Sequence, residues 1–322
     1  MVKATSYRGL LVIGDPHIQG RQPGFRKDNY AKTILGKIRF CLEYSQKHKL
    51  LPTFLGDIFD KPRDNPTWMI GELIEMMRVW PAVGIYGNHD CADPVLSDHD
   101  SFSILVKAGC LQRVTASDFW TGDIDGRKVV VAGSSYREEI PQLFDLETVP
   151  KQSLFDEPPF VVWLSHHDID IGNYKNGKFG PFEMINVDLL INGHIHREAK
   201  PVRKGQTTWM NPGNIVRRSR SAHSRKKVPS VLHVTFPASG FEVQKVEIPH
   251  KPFDDVFHEA AVEEDIDDET SSGFVTGLSD MLKTKTESGA GLIEFLDRNL
   301  DNYDTDVALE IRELATAVNQ KH

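Results

Sequence analysis

An α/β core is the fold class that this sequence predicts. Short, continuous apolar runs alternate with longer segments of helical periodicity, and most of the apolar runs end in a polar motif. Strands that read as unbroken apolar runs are covered on both faces, and strands alternating with helices build α/β sheets.

The elements follow in order. Residues 10–15 read as a buried strand, and residues 26–48 as a helix punctuated by Ile34, Leu35, Ile38 and Leu42. Residues 52–57 are a second strand. Thr67–Val79 is a helix, with Asn65 as N-cap and Pro66 at its first position. A third strand spans 83–88, and Asp100 caps a short helix running to Lys107. Residues 128–132, 160–165 and 187–192 are further strands. After His196, residues 207–210, 230–236 and 241–248 look like strands, the last two joined by a turn at Ala238, Ser239 and Gly240; these should finish a second sheet packed on the first.

Composition narrows the class. The 322 residues are 39% hydrophobic, enough for a packed core. Three cysteines, Cys41, Cys91 and Cys110, have neither metal-ligand spacing nor an even number, which argues against a disulfide framework and for a reducing compartment. The apolar run at 10–13 is too short for a signal peptide or a membrane span, so a cytoplasmic protein is expected, without membrane contact. The net charge of −8 is unevenly spread. Residues 251–322 hold 6 basic and 18 acidic side chains, leaving 32 against 28 in the first 250. Residues 1–250 are therefore read as the main folded domain and 251–270 as an acidic linker. Residues 271–322 read as a helical tail that docks a partner, with short amphipathic helices near 291–300 and 306–319.

Five motifs carry the chemistry. They are Asp15-Pro16-His17, Gly56-Asp57, Gly87-Asn88-His89-Asp90, His166-His167 and Gly193-His194-Ile195-His196. Each alone is an ordinary turn or a satisfied histidine. Together, in this order and each ending an apolar run, they mark one site, because α/β folds place ligands at strand ends. Two divalent ions need a shared carboxylate, and Asp57 is the natural bridge. Asp15, His17 and His196 complete one ion; Asn88, His166 and His194 complete the other. Alternation in an extended segment points His194 and His196 to the same side. With no thiolate among them, these ligands suit manganese best, with iron or zinc as alternatives. Such a pair clamps a phosphate and acidifies a water. His89, beside a ligand, is the candidate acid for the leaving alkoxide, with Asp90 as its orienter.

This ordered set, over residues 8–250, resembles the calcineurin-like metallophosphoesterase superfamily. The resemblance implies two mixed β-sheets packed as a sandwich flanked by helices, the ligand set above, and His89 beside the leaving group. Of the two adjacent histidines, His166 lies nearer the strand end and is preferred. Within the superfamily the chain looks most like the SbcD and Mre-type DNA repair nucleases. Residues 56–62 (Gly-Asp-Ile-Phe-Asp-Lys-Pro) match their second motif. The loop at 20–30, with Arg26 and Asp28, resembles the segment after their first. Asn211-Pro212-Gly213-Asn214 and then Arg217 resemble the stretch after their last. That likeness implies DNA as substrate, a homodimer, and a coiled-coil ATPase partner of the SbcC or Rad type. Where protein serine/threonine phosphatases carry an Arg after the second motif, Lys61 and Pro62 stand here.

Residues 197–227 contain ten basic residues and one acidic residue, Glu198. Arg197, Arg203, Lys204, Arg217, Arg218 and Arg220 are taken from this run as DNA-binding candidates, contacting phosphates with little sequence preference. A nuclease is the leading expectation. The alternative is a nucleotide or other small-molecule phosphoesterase using the same metals.

Overall fold

The structure is a computed structural model that describes residues 6–23, 26–149, 158–172, 174–175 and 177–258. Among them, twelve strands form two six-stranded mixed sheets. The first sheet holds β1 (Gly9–Ile13), β2 (Leu50–Phe54), β3 (Ala82–Gly84), β4 (Leu111–Arg113), β11 (Ser230–Thr235) and β12 (Glu242–Glu247), in the order β12-β11-β1-β2-β3-β4. The second holds β5 (Trp120–Ile124), β6 (Arg127–Ser134), β7 (Phe160–Ser165), β8 (Leu189–Asn192), β9 (Ala199–Lys204) and β10 (Thr207–Asn211), in the order β5-β6-β7-β8-β10-β9. β1 to β4 run parallel, as do β6, β7, β8 and β10. Both parallel sets therefore present a row of C-terminal strand ends.

Side-chain alternation explains the layers. In β1, Leu10 and Val12 enter the layer between the sheets with Val129, Val131, Val162, Leu164 and Ile191. Leu11 and Ile13 point the other way, into a core shared with α1 (Tyr30–His48), α2 (Thr67–Val79) and α3 (Ser101–Lys107). The outer face of the second sheet carries Val130, Ala132, Trp163 and Trp209. Ile140, Phe144, Ile169, Ile171 and Met184 cover it, from irregular segments in place of helices. The expected sandwich is present, with its long helices on one side.

Several local expectations change. The first long helix starts at Tyr30, where the Asn29 side chain accepts from the Lys32 N–H at 3.1 Å. Pro66, not Asn65, is the N-cap of α2; the Asn65 amide instead donates to Lys61 O and Ser101 Oγ. Asp100 precedes α3 as expected, but its carboxylate binds Arg63 and Ser97, not the helix N–H groups. Three strands were not foreseen: β4 and β5, which are short or half-exposed, and β9, whose polar sequence reads as a loop. β11 and β12 do not finish the second sheet. β11 pairs antiparallel with β1 and brings β12 with it, so the last hairpin extends the first sheet.

Beyond residue 250 a short helix, α5 (Phe253–Val256), is tied to the body. Lys27 N–H donates to Val256 O at 2.8 Å, and Arg26 bridges to Phe257. Residues 251–258, read as linker, thus belong to the body. The remaining linker and tail expectations, 259–322, lie outside the described residues. Among the described residues, no helix is long and apolar enough to cross a membrane.

Candidate metal centre

All five motifs follow C-terminal ends of parallel strands: β1, β2, β3, β7 and β8. The chain turns sharply there. Asp15, His17, Asp57 and His194 have φ of 35°, 48°, 47° and 70°. Side-chain-bearing residues avoid this left-handed region, and each such residue costs on the order of 1 kcal/mol. Four strained residues in one cup show that the surrounding sheet ends dictate their conformation. Gly56 and Gly87 allow the close approach. A Cβ on Gly56 would lie 2.6 Å from His166 Nδ1, and one on Gly87 would overlap the Asp57 carboxylate.

The expected ligands converge. His17 Nε2 lies 3.0 Å from His196 Nε2 and 3.6 Å from Asp57 Oδ2. His166 Nε2 lies 3.3 Å from Asp57 Oδ2 and 3.2 Å from Asn88 Oδ1, and His194 Nδ1 is 3.0 Å from the same Asn88 oxygen. Asp15 stands behind, 3.8 Å from His166 Nδ1 and 4.0 Å from His196 Nε2. Asp57 thus lies between a His17/His196 side and a His166/Asn88 side, the position of a bridging carboxylate. His166, not its neighbour, faces the cup; the His167 ring turns away to Glu138 O at 2.6 Å.

These groups fit cations. The Asp15 carboxylate is fully buried and neither oxygen has a well-formed hydrogen bond, although the His194 N–H approaches it. An unpaired buried carboxylate is costly unless a cation accompanies it. Burial is the largest influence on the His17 and His194 rings and holds both at about 3. His196 is likewise held well below the usual imidazole range, by burial first and then by its neighbour His17. Neutral imidazole is the form with a lone pair to donate. Burial works to raise the Asp57 carboxyl, but His166, His89 and His17 outweigh it and hold it well below the usual carboxylate range.

His89 sits at the rim. Its N–H donates to Asp57 Oδ1 at 2.8 Å, and its Nδ1 donates to the carbonyl of Asp60 at 2.9 Å. That carbonyl fixes the tautomer and leaves Nε2 as the second ring nitrogen. The expectation that Asp90 orients this ring is therefore corrected. The buried Asp90 carboxylate accepts from the N–H groups of Ile58, Phe59 and Gly87, holding the second and third motifs together.

The basic run does not form one surface. β9 leads away from the centre, so Arg203 and Lys204, six residues of strand later, are roughly 20 Å along at the opposite sheet end. Arg217 is buried, donating to the carbonyls of Lys227 and Lys251 at 2.9 Å each. Arg203, Lys204 and Arg217 therefore do not stand beside the centre. Arg197 directly follows the candidate ligand His196, and Arg220 lies half-buried before the short helix α4 (Ala222–Lys226). The Arg218 side chain meets the centre. Its Nη2 donates to Asp60 Oδ1 at 2.9 Å, and its Nη1 lies 3.2 Å from His17 Nε2. Asp60 was missed as a site residue although it closes the motif Gly56-Asp57-Ile58-Phe59-Asp60. Tyr136, stacked on His194 with ring centroids 6.3 Å apart, had no sequence signal.

Candidate metal-binding groups gathered around Asp57 at the strand ends of an α/β sandwich fit a metal-dependent hydrolase of phosphoesters. The chain belongs to the calcineurin-like phosphoesterase family, whose family model matches residues 9–198. Solved structures that match include a hypothetical protein from Thermus thermophilus, at 13% identity over 74% of this chain and 99% of that one, with a TM-score of 0.41. A dimetal phosphatase from Danio rerio is 11% identical over 76% and 100% of the two chains, with a TM-score of 0.42. The sulfate thiohydrolase SoxB of Thermus thermophilus is 11% identical over 76% and 56%, with a TM-score of 0.41. No curated protein matches the sequence.

Proposed function

We propose that this metallophosphoesterase hydrolyses phosphodiester bonds in DNA, with manganese as its working ion and iron or zinc as alternatives. The observation that supports it most is the convergence of seven ligands with a guanidinium, Arg218, directed among them. Asp15, His17, Asp57 and His196 would hold one ion, and Asp57, Asn88, His166 and His194 the other. When bound, such a pair supplies Lewis acidity toward a phosphoryl group and lowers the pKa of water. The chain's own residues do the rest. His89, tethered through Nδ1, presents Nε2 to protonate the leaving alkoxide. Asp90 keeps the Asp57 and His89 loops in register.

On this reading Arg197, Arg218 and Arg220 meet DNA phosphates. A coiled-coil ATPase of the SbcC or Rad type and a second copy of the chain are the partners it carries. A second reading, hydrolysis of a nucleotide or another small phosphoester, is favoured by one observation: Arg203, Lys204 and Arg217 do not contribute to a cationic rim. Incubation with manganese and a panel of single-stranded DNA, duplex ends, hairpins and an aryl phosphodiester separates the two. DNA cleavage is expected. Turnover of the small diester with every DNA intact would select the second reading.

A further inference from the structure

We propose that Arg218 is a substrate-phosphate anchor, held ready by Asp60. This rests on the metal-dependent reading of the centre and assigns the residue that grips a non-bridging phosphate oxygen beside the ions.

The support beneath Arg218 is rigid. Lys37 Nζ donates to Ile215 O at 2.8 Å, and Ile215 N–H donates to Gly14 O at 3.0 Å, just before the first ligand. Arg26 Nη1 donates to Arg217 O at 2.9 Å while its other nitrogens form a two-point pair with Asp28. The Arg217 side chain is pinned in turn to Lys227 and Lys251 carbonyls. Buried basic side chains thus fasten the backbone on the N-terminal side of Arg218, so its guanidinium needs little ordering on binding substrate.

The partners of Arg218 are unequal. Nη2 has a carboxylate, Asp60 Oδ1, at 2.9 Å. Among the described residues Nη1 has the His17 ring, at 3.3 Å from Nδ1 and 3.2 Å from Nε2, and no carboxylate. A neutral imidazole has one acceptor nitrogen. If His17 gives that lone pair to a metal ion, Nη1 is left with hydrogens and no acceptor. A phosphate oxygen is the acceptor that a guanidinium fork suits, since two parallel N–H groups match the geometry of an oxyanion. Access exists, because the Arg218 side chain is 24% exposed where His17 is 0%. Nearby groups leave it this task. His89 is committed through Nδ1, Asp90 to backbone, and Arg217 to the interior.

The test is orthophosphate binding to the manganese-loaded full chain, by calorimetry, with manganese binding measured separately. Arg218→Gln should retain manganese and unfold at an unchanged temperature. It should bind phosphate on the order of ten- to a hundredfold more weakly, the range for a lost hydrogen bond to a charged group. Arg218→Lys keeps the charge without the fork and should fall between. Phosphate affinity in Arg218→Gln equal to the wild type would overturn the proposal. So would loss of manganese from both variants, which would make Arg218 a support of the metal centre. Arg218-dependent phosphate binding by a protein that cleaves no DNA would sink the nuclease reading and leave the anchor standing.

Discussion

The His166 imidazole donates through Nδ1 to the carbonyl oxygen of Leu55 at 2.7 Å, and so turns Nε2 toward Asp57 and Asn88. The acceptor belongs to the β2 end and the ring to the β7 end, one in each sheet. A single hydrogen bond across the sandwich thereby sets both the tautomer and the direction of a ligand. The same device holds His89 through Asp60 O.

Asp57 lies between the His17/His196 and His166/Asn88 groups, so among the candidate ligands it should be the least replaceable. Asp57→Asn should lose bound metal and all measurable hydrolysis, while circular dichroism stays that of the native fold. Stoichiometric manganese in the purified variant, measured by elemental analysis, would show that the carboxylate does not bridge.

His89 is assigned to the leaving group, so its effect should depend on that group. His89→Gln should keep manganese and slow alkyl diester hydrolysis by roughly 10²–10⁴-fold. An aryl diester, whose leaving phenolate needs no proton, should be slowed far less. Equal losses on both substrates would remove His89 from the acid role.

Gly87 has no side chain because none fits. In Gly87→Ala the added methyl would collide with the Asp57 carboxylate and the His166 ring. Metal affinity should fall sharply, and the unfolding temperature measured in chelator should fall too, because the methyl also meets the Asp57 backbone nitrogen at 2.6 Å. An unchanged metal isotherm would mean that the loop relaxes freely.

Arg217 and Arg218 are neighbours with opposite outlooks. Arg217→Gln should lower stability by about 2–4 kcal/mol, since buried carbonyls lose charged donors. Urea denaturation checks this, and a variant as stable as the wild type would contradict the buried role.

Lys37 gives a pH signature. It is buried, and burial first, then Arg26 and Arg217, lowers its ammonium to about 7 from the ordinary 10.5. Between those values the unfolded chain holds the proton and the folded chain does not, so this group makes stability rise with pH from about 7 upward. Below about 7 the folded protein carries the full cost of the buried charge. In chelator, the unfolding temperature of Lys37→Met should therefore rise less between about pH 7 and 9.5 than that of the wild type. Parallel curves would show that Lys37 stays charged in the fold.

The sequence by itself determined the core strands, the main helices and the set of candidate ligands that the fold brings together. Continuous apolar runs such as Phe160–Ser165, short and rich in β-branched and aromatic residues, read as strands buried on both sides. Short-range signals also set the bounds of Thr67–Val79. What periodicity does not encode is which strand pairs with which. β11 joins β1 instead of the second sheet because pairing is a contact between distant segments. The same holds for charge. Ten basic residues in one run look alike on the page, yet β9 carries Arg203 and Lys204 away, the core takes Arg217, and Arg218 meets Asp60, 158 positions earlier. Residue type states what a side chain can do; only the folded path of the backbone decides what it faces.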